Sequence, residues 1–210
     1  MFNRLSLSLV LLLFLGACSP GHSSQLNTTK IQLQHVVTKE LQKTNRKFIL
    51  FQKMKDKENV FLGKQHGENW VLRHKTKPFQ IEKKGNKVVM NNNKNKEILS
   101  ADQFGIISPL EHLSLLRDRE NLIKKLPRTK INKKTVDHIT LTVNEKTLAR
   151  ILKDRLTVSR STDISPYLSG KVQVTYDLYY LPKTDELVKF ETKISAKGDK
   201  EESCDLTYLF

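Results

Sequence analysis

The chain has 210 residues, with 37 Lys and Arg against 22 Asp and Glu, and a formal net charge of +15. That length supplies one domain with a real core and is short for two. Two Cys and six scattered His exclude a disulfide framework and a Cys/His metal cage, while the positive balance favours anionic surfaces as partners.

The first 17 residues carry one charge, Arg4, and an unbroken apolar run from Leu9 to Leu15. The run is too short for a helix across ~30 Å of hydrocarbon, which takes about 20 apolar residues. It closes on Leu15-Gly16-Ala17-Cys18, and the chain then turns polar. This arrangement resembles the lipobox of bacterial lipoproteins. The resemblance implies cleavage between Ala17 and Cys18 and diacylglyceryl attachment to the Cys18 sulfur, with or without an added N-acyl chain. No other cofactor is expected. It implies an exported protein held on the extracytoplasmic side of the bacterial envelope, with inner or outer membrane left open. Residues 1–17 are then a signal peptide, 18–29 (Ser-, Gly- and Asn-containing) a flexible tether, and 30–210 a single domain. With Cys18 acylated, Cys204 is the one thiol left, so no intramolecular disulfide forms.

From Thr29 to Lys43, Leu33, Val36, Val37 and Leu41 fall at helical spacing, with Asn27 and Thr28 as candidate caps. Five short strands follow, over Lys47–Lys55, Asn59–Gln65, Asn69–His74, Phe79–Lys83 and Lys87–Met90. Turn residues such as His66-Gly67-Glu68 and Lys84-Gly85-Asn86 divide them, which indicates antiparallel hairpins. A further strand covers Glu97–Ala101. Ser108-Pro109-Leu110-Glu111 spells a capping box with Pro at the first helical position. Glu120–Leu126 reads as a second amphipathic piece stopped by Pro127, and 127–135 as a basic loop. Val136–Val143 alternates as a strand. Asn144 is placed to cap a helix carrying Leu148, Ile151, Leu152 and Arg155, and 159–170 reads as a loop. Three alternating runs close the chain: Val172–Tyr180, Val188–Ile194 and Cys204–Phe210. They form a meander with one dry face and one wet face.

A one-sided antiparallel sheet must cover its dry face, and amphipathic helices are the available cover. The expected class is α+β, a curved antiparallel sheet (half-barrel) covered on one face by helices. The lipobox, the N-terminal helix, the hairpin-rich middle, the helix opening at Ser108 and the closing meander together resemble lipoprotein carriers of the LolA/LppX type. That resemblance implies a half-open β-barrel that holds acyl chains between sheet and helices. It carries no diagnostic motif, so no family residue transfers to a numbered position. Cystatin-like domains and other exported helix-then-sheet folds share the same element order.

No nucleophile motif, phosphate-cradling glycine cluster or carboxylate pair outside turns appears, so no enzymatic role is expected. His66 and His74 fall on one hairpin, but two ligands alone make a poor metal site. Phe61, Trp70, Leu72, Phe79 and Ile81 are the candidate ligand-lining residues, because a half-barrel's concave face is core and cleft at once. The first functional reading is therefore a membrane-anchored envelope lipoprotein that binds a hydrophobic or amphiphilic ligand. The alternative is a non-enzymatic interaction or structural module that binds anionic lipid or wall polymer. Its motivation is residues 30–99, which carry 17 basic and 6 acidic side chains. Nucleic acid is not an expected partner, since no recognition motif accompanies the charge. The oligomeric state is left open.

Overall fold

The computed structural model describes residues 21–55, 57–93, 95–101, 108–117, 122–143, 146–150, 172–196 and 202–210. Helix α1 (Gly21–Leu41) precedes strands β1 (Asn45–Met54), β2 (Lys57–His66), β3 (Asn69–His74), β4 (Gln80–Lys84), β5 (Lys87–Asn91) and β6 (Lys96–Ser100). Helix α2 (Pro109–Leu116) follows. Then come β7 (Leu122–Ile131), β8 (Lys134–Thr142), β9 (Val172–Tyr180), β10 (Leu187–Ala196) and β11 (Glu202–Leu209). The architecture is one large, open, antiparallel sheet of 11 strands with few helices, in the order β6-β5-β4-β3-β2-β1-β11-β10-β9-β8-β7.

Two meanders, β1–β6 and β7–β11, meet along a single long-range seam. There Leu50 pairs with Tyr208 and Gln52 with Leu206. Register carries one face across the sheet. Ile139, Leu178, Phe190, Tyr208, Leu50 and Phe61 lie in one row from β8 to β2, and all are buried. This inner face is the apolar half of the alternation that the strands display in sequence.

The helices bring their apolar stripes to that core. Leu33, Val36 and Val37 of α1 and Leu113 and Leu116 of α2 belong to the same buried cluster as Leu178, Phe190 and Tyr208. Ser108 caps α2 by accepting from the Glu111 N–H at 3.2 Å, and Glu111 reaches back to the Ser108 N–H at 3.2 Å. The box fixes where the helix starts. One turn later the buried His112 ring sits among Tyr176, Phe190 and Tyr208, with centroids 5.7–6.0 Å away.

The structure corrects two sequence expectations. First, α1 begins at Gly21, so 21–29 is helical and not tether, and Asn27 and Thr28 lie inside the helix. Its buried stripe includes Thr29 and Glu40, polar residues that apolar periodicity passes over. Second, the described part of the expected amphipathic piece Glu120–Leu126, from Leu122 on, and the basic loop at 127–135 are instead β7, its hairpin turn and the start of β8. Asn132 and Lys133, both at positive φ, make the two-residue turn that suits a right-twisted hairpin. Pro127 is tolerated because β7 is a sheet edge and the register shifts between Leu126 and Thr129; at an edge bulge its missing N–H is not needed. The buried face runs through β1–β5 and β8–β11, while the edge strands β6 and β7 carry no buried residue. Residues 146–150 are helical, as the Asn144 reading expects. The rest of that helix and the 159–170 loop lie outside the described residues.

Gly63 marks a close approach. A Cβ there would stand 2.3 Å from the Phe48 ring, which is buried beside Tyr208 at 5.8 Å between centroids. Gly63→Ala should therefore destabilise the fold by about 1–3 kcal/mol through overpacking. Urea unfolding checks this, and Phe48→Leu in the same chain should recover part of the loss.

Over β8–β10 the outer face carries a polar network. Asp177 accepts from His138 Nε2 at 2.9 Å and from Lys193 Nζ at 3.3 Å. Burial works against its charge, but the bonds from His138 and Thr140 and the Lys193 ammonium outweigh it, so its pKa lies below the usual aspartate range. A lowered carboxylate pKa contributes stability above the unfolded value, and that stability is lost as pH falls through the folded value. Asp177→Asn should flatten the acid limb of unfolding free energy between about pH 5 and pH 2. An unchanged limb would show that the network carries none of it.

Candidate functional site

The inner face is not filled evenly. Residues of α1 and α2 join its buried cluster, and α2 also reaches β2 and β4, where Ser108 meets Gln65 and Glu111 meets Lys83. Over β1–β5 the face opens into a trough of about 720 Å³, a size typical of small-molecule sites at roughly 300–1,000 Å³. Its floor is Leu50 on β1, Phe61 on β2, Leu72 on β3 and Ile81 on β4, set side by side by the hairpin registers. Phe79 closes one wall, 6.4 Å from Phe61 between ring centroids. Leu206, Ile194 and Cys204 close the other, across the β1–β11 seam.

Of the candidate lining residues, Phe61, Leu72, Phe79 and Ile81 line the trough. Trp70 does not. It shares the inner face with Leu72 but pairs with Gln65 and Lys83, farther from the trough, and it is 2% exposed. A second, more charged cavity of about 570 Å³ borders it, with Arg46, Lys64 and Lys83 in its lining. Cys18 lies outside the described residues.

Sequence reasoning missed Leu50, Leu206, Ile194 and Cys204 as lining residues. Their alternation placed them on an apolar face, but only the β1–β11 pairing brings those faces together. It also missed the polar rim: Gln52, Asn59, His74 and Lys77 line the same trough. Lys77 Nζ lies 3.4 Å from Asn59 Oδ1. His66 and His74 sit at opposite ends of the β2–β3 hairpin, paired with Asn69 and Phe61 respectively, so they do not form a two-histidine site. Among the described residues no group of three or more His, Cys, Asp or Glu is placed to hold a metal ion.

Cys204 is half-buried and carries a free thiol. Burial, with Asp205 beside it, pushes that thiol up, which makes it a slow nucleophile at neutral pH. Among the described lining residues no nucleophile is hydrogen-bonded to a base. What the arrangement offers chemically is desolvation: an apolar floor, an open side and a polar rim.

No protein-family model matches the chain, and no curated protein matches it. Solved structures do. It is similar to the lipoprotein LppX from Mycobacterium tuberculosis, with a TM-score of 0.48 and 12% identity over 85% of this chain and 91% of that one. It is similar to LprF from Mycobacterium bovis, with a TM-score of 0.48 and 10% identity over 87% and 91%. An outer membrane lipoprotein-sorting protein domain from Vibrio parahaemolyticus matches with a TM-score of 0.33 and 10% identity over 87% and 90%.

Proposed function

We propose that this protein is an envelope lipoprotein whose domain holds the apolar part of a hydrophobic or amphiphilic molecule in the inner-face trough. In this reading the sheet acts as a curved half-barrel. The helices α1 and α2 pack against part of the inner face, and the ligand completes the cover over the trough. Acyl chains on Cys18 display the domain at the extracytoplasmic membrane surface, and the domain carries out no reaction. The observation that carries the reading is the trough of about 720 Å³ floored by Leu50, Phe61, Leu72 and Ile81. Apolar surface gains about 25 cal/mol per Å² on leaving water, so a floor left open by the described helices favours an apolar occupant.

Cys204 supplies the test. In the acylated protein the Cys18 sulfur is blocked, which leaves Cys204 as the one reactive thiol, and it lines the trough. The intact lipoprotein, held in phosphatidylcholine vesicles at alkaline pH, is alkylated with a maleimide. Dodecanol should slow that reaction several-fold. An alkylation rate indifferent to every long-chain amphiphile at saturation would remove the reading.

A second reading is favoured by the opposite face. There Ile49 and Leu62, 37% and 51% exposed, pair across β1 and β2 and share a groove with Lys47, Lys64 and Arg73. A basic, apolar surface of this kind suits anionic lipid. It predicts salt-sensitive binding to anionic vesicles that is lost in Lys47→Gln/Lys64→Gln. Binding that survives both the salt and the substitutions would exclude it.

A further inference from the structure

The trough has two chemically different ends. Along β1 the inward side chains change from Leu50 to Gln52, along β2 from Phe61 to Asn59, and along β3 from Leu72 to His74. These three strands alternate in direction, so the polar members all fall at one end of the sheet, where the β1–β2 and β3–β4 turns lie. Lys77, in the β3–β4 turn, joins them and reaches Asn59 Oδ1 at 3.4 Å.

His74 presents a donor at that end. Its Nδ1 accepts from the backbone N–H groups of Thr76 at 3.2 Å and Lys77 at 3.0 Å. In the neutral ring the hydrogen must therefore sit on Nε2. The ring is held edge-on against Phe61, with centroids 5.2 Å apart. Nε2 is buried and has no hydrogen-bond partner among the described residues. A buried donor left without an acceptor is costly, and such a group in a native fold calls for an explanation.

Among the described residues that line this end, charge is one-sided. An adjoining cavity of about 580 Å³ shares Asn59, Ile194 and Cys204 with the trough and adds Lys57. Neither lining contains an Asp or Glu among the described residues, in a chain that carries 22 of them. Among the described lining residues a cationic headgroup would find no counter-ion. An oxygen anion would find the Lys77 ammonium at the rim and the unpartnered His74 N–H in the lining, donors suited to charge-assisted hydrogen bonds.

We propose that the trough selects amphiphiles with an anionic oxygen headgroup, a carboxylate or a phosphate on an acyl chain. The headgroup takes the His74 Nε2–H and the Lys77 ammonium at the turn end, and the chain lies along Leu50, Phe61, Leu72 and Ile81. This inference rests on the trough being a ligand site at all, and the experiment separates the two claims.

The intact acylated protein in phosphatidylcholine vesicles is alkylated at Cys204 in the presence of dodecanoate, dodecyl phosphate, dodecanol or dodecylammonium. In the wild type, at least one of the two anions should protect at a concentration about tenfold below that of dodecanol. Dodecylammonium should be the weakest of the four, and inorganic phosphate without a chain should not protect. Lys77→Gln should bring the anions to the level of dodecanol measured in the same variant. His74→Asn should do the same, because an amide oxygen still accepts from the turn N–H groups while the Nε2–H is lost. Lys77 is at the surface, so its variant decides the matter even if His74→Asn folds poorly. Dodecanol or dodecylammonium protecting as well as both anions overturns the headgroup inference and leaves the trough reading standing. So does an anion preference that survives Lys77→Gln. Protection by none of the four overturns the trough reading itself.

Discussion

Replacing Glu40 with alanine is expected to cost the fold about 3–5 kcal/mol. Glu40 lies on α1 with its side chain 1% exposed, and its carboxylate takes three partners. Arg46 Nη2 stands 3.1 Å from Oε2, Lys43 Nζ 2.8 Å from Oε1, and the Leu187 N–H 3.2 Å from Oε1. The Arg46 side chain is itself 5% exposed, and its Nη2 also donates to the Glu40 carbonyl. Burial lowers the Arg46 pKa, while Glu40 counters that shift by favouring the charged guanidinium. Truncating Glu40 leaves this guanidinium desolvated without a counter-charge and the start of β10 without an acceptor. Breaking one side of a buried pair is far costlier than exchanging both sides for apolar groups. Urea unfolding should therefore show a large loss for Glu40→Ala, and most of it should return in Glu40→Leu/Arg46→Met. A loss under about 1 kcal/mol would place the pair among surface bridges of little worth. Because domains are stable by only about 5–15 kcal/mol, Glu40→Ala should also lower the amount of folded protein recovered.

Cys18→Ala should move the protein out of the membrane fraction or leave it as unprocessed precursor. The proposed anchor is two or three acyl chains at this sulfur, and stable attachment takes at least two such signals. Among the described residues no helix is long and apolar enough to cross a membrane, so none of them offers a helical substitute for the anchor. The basic surface can hold protein at anionic lipid, so the fractionation includes a high-salt wash, which screens such contacts. An alkyne fatty acid fed to the cells should label the wild type and not the variant. A variant that still labels, or that stays in the washed membranes, would overturn the anchor at Cys18 and with it the proposed display of the trough at a membrane surface. The ligand-binding claim would stand independently, since its thiol test reads Cys204.

By itself the sequence determined what short-range physics encodes. Alternation in Val172–Tyr180 and Asn69–His74 assigned each strand an inner and an outer face. Gly67 and Gly85, at φ 55 and 54, placed two-residue turns, and Ser108, Pro109 and Glu111 placed the start of α2. These signals act within a few residues and need no partner from elsewhere in the chain. Other features had no such local signature. In β7, Leu122, Ile123 and Leu126 satisfy a helical stripe and an edge strand equally well, and only pairing with β8 decides between them. The inclusion of Thr29 and Glu40 in the α1 stripe depends on what waits opposite: Arg46 and the Leu187 N–H make Glu40 a core residue. The trough is the clearest case. Its floor joins hairpin neighbours Phe61, Leu72 and Ile81 to Leu50, and its far wall comes from Leu206, Ile194 and Cys204 at the other end of the chain. That meeting depends on the β1–β11 seam, which pairs Ile49 with Leu209 through to Met54 with Cys204, from opposite ends of the chain. Phe61 and Trp70 look alike as strand aromatics, yet register puts one on the floor and the other beyond it. Alternation tells which face a side chain takes, but its position along that face is set by strand pairing, and strand pairing belongs to the tertiary structure.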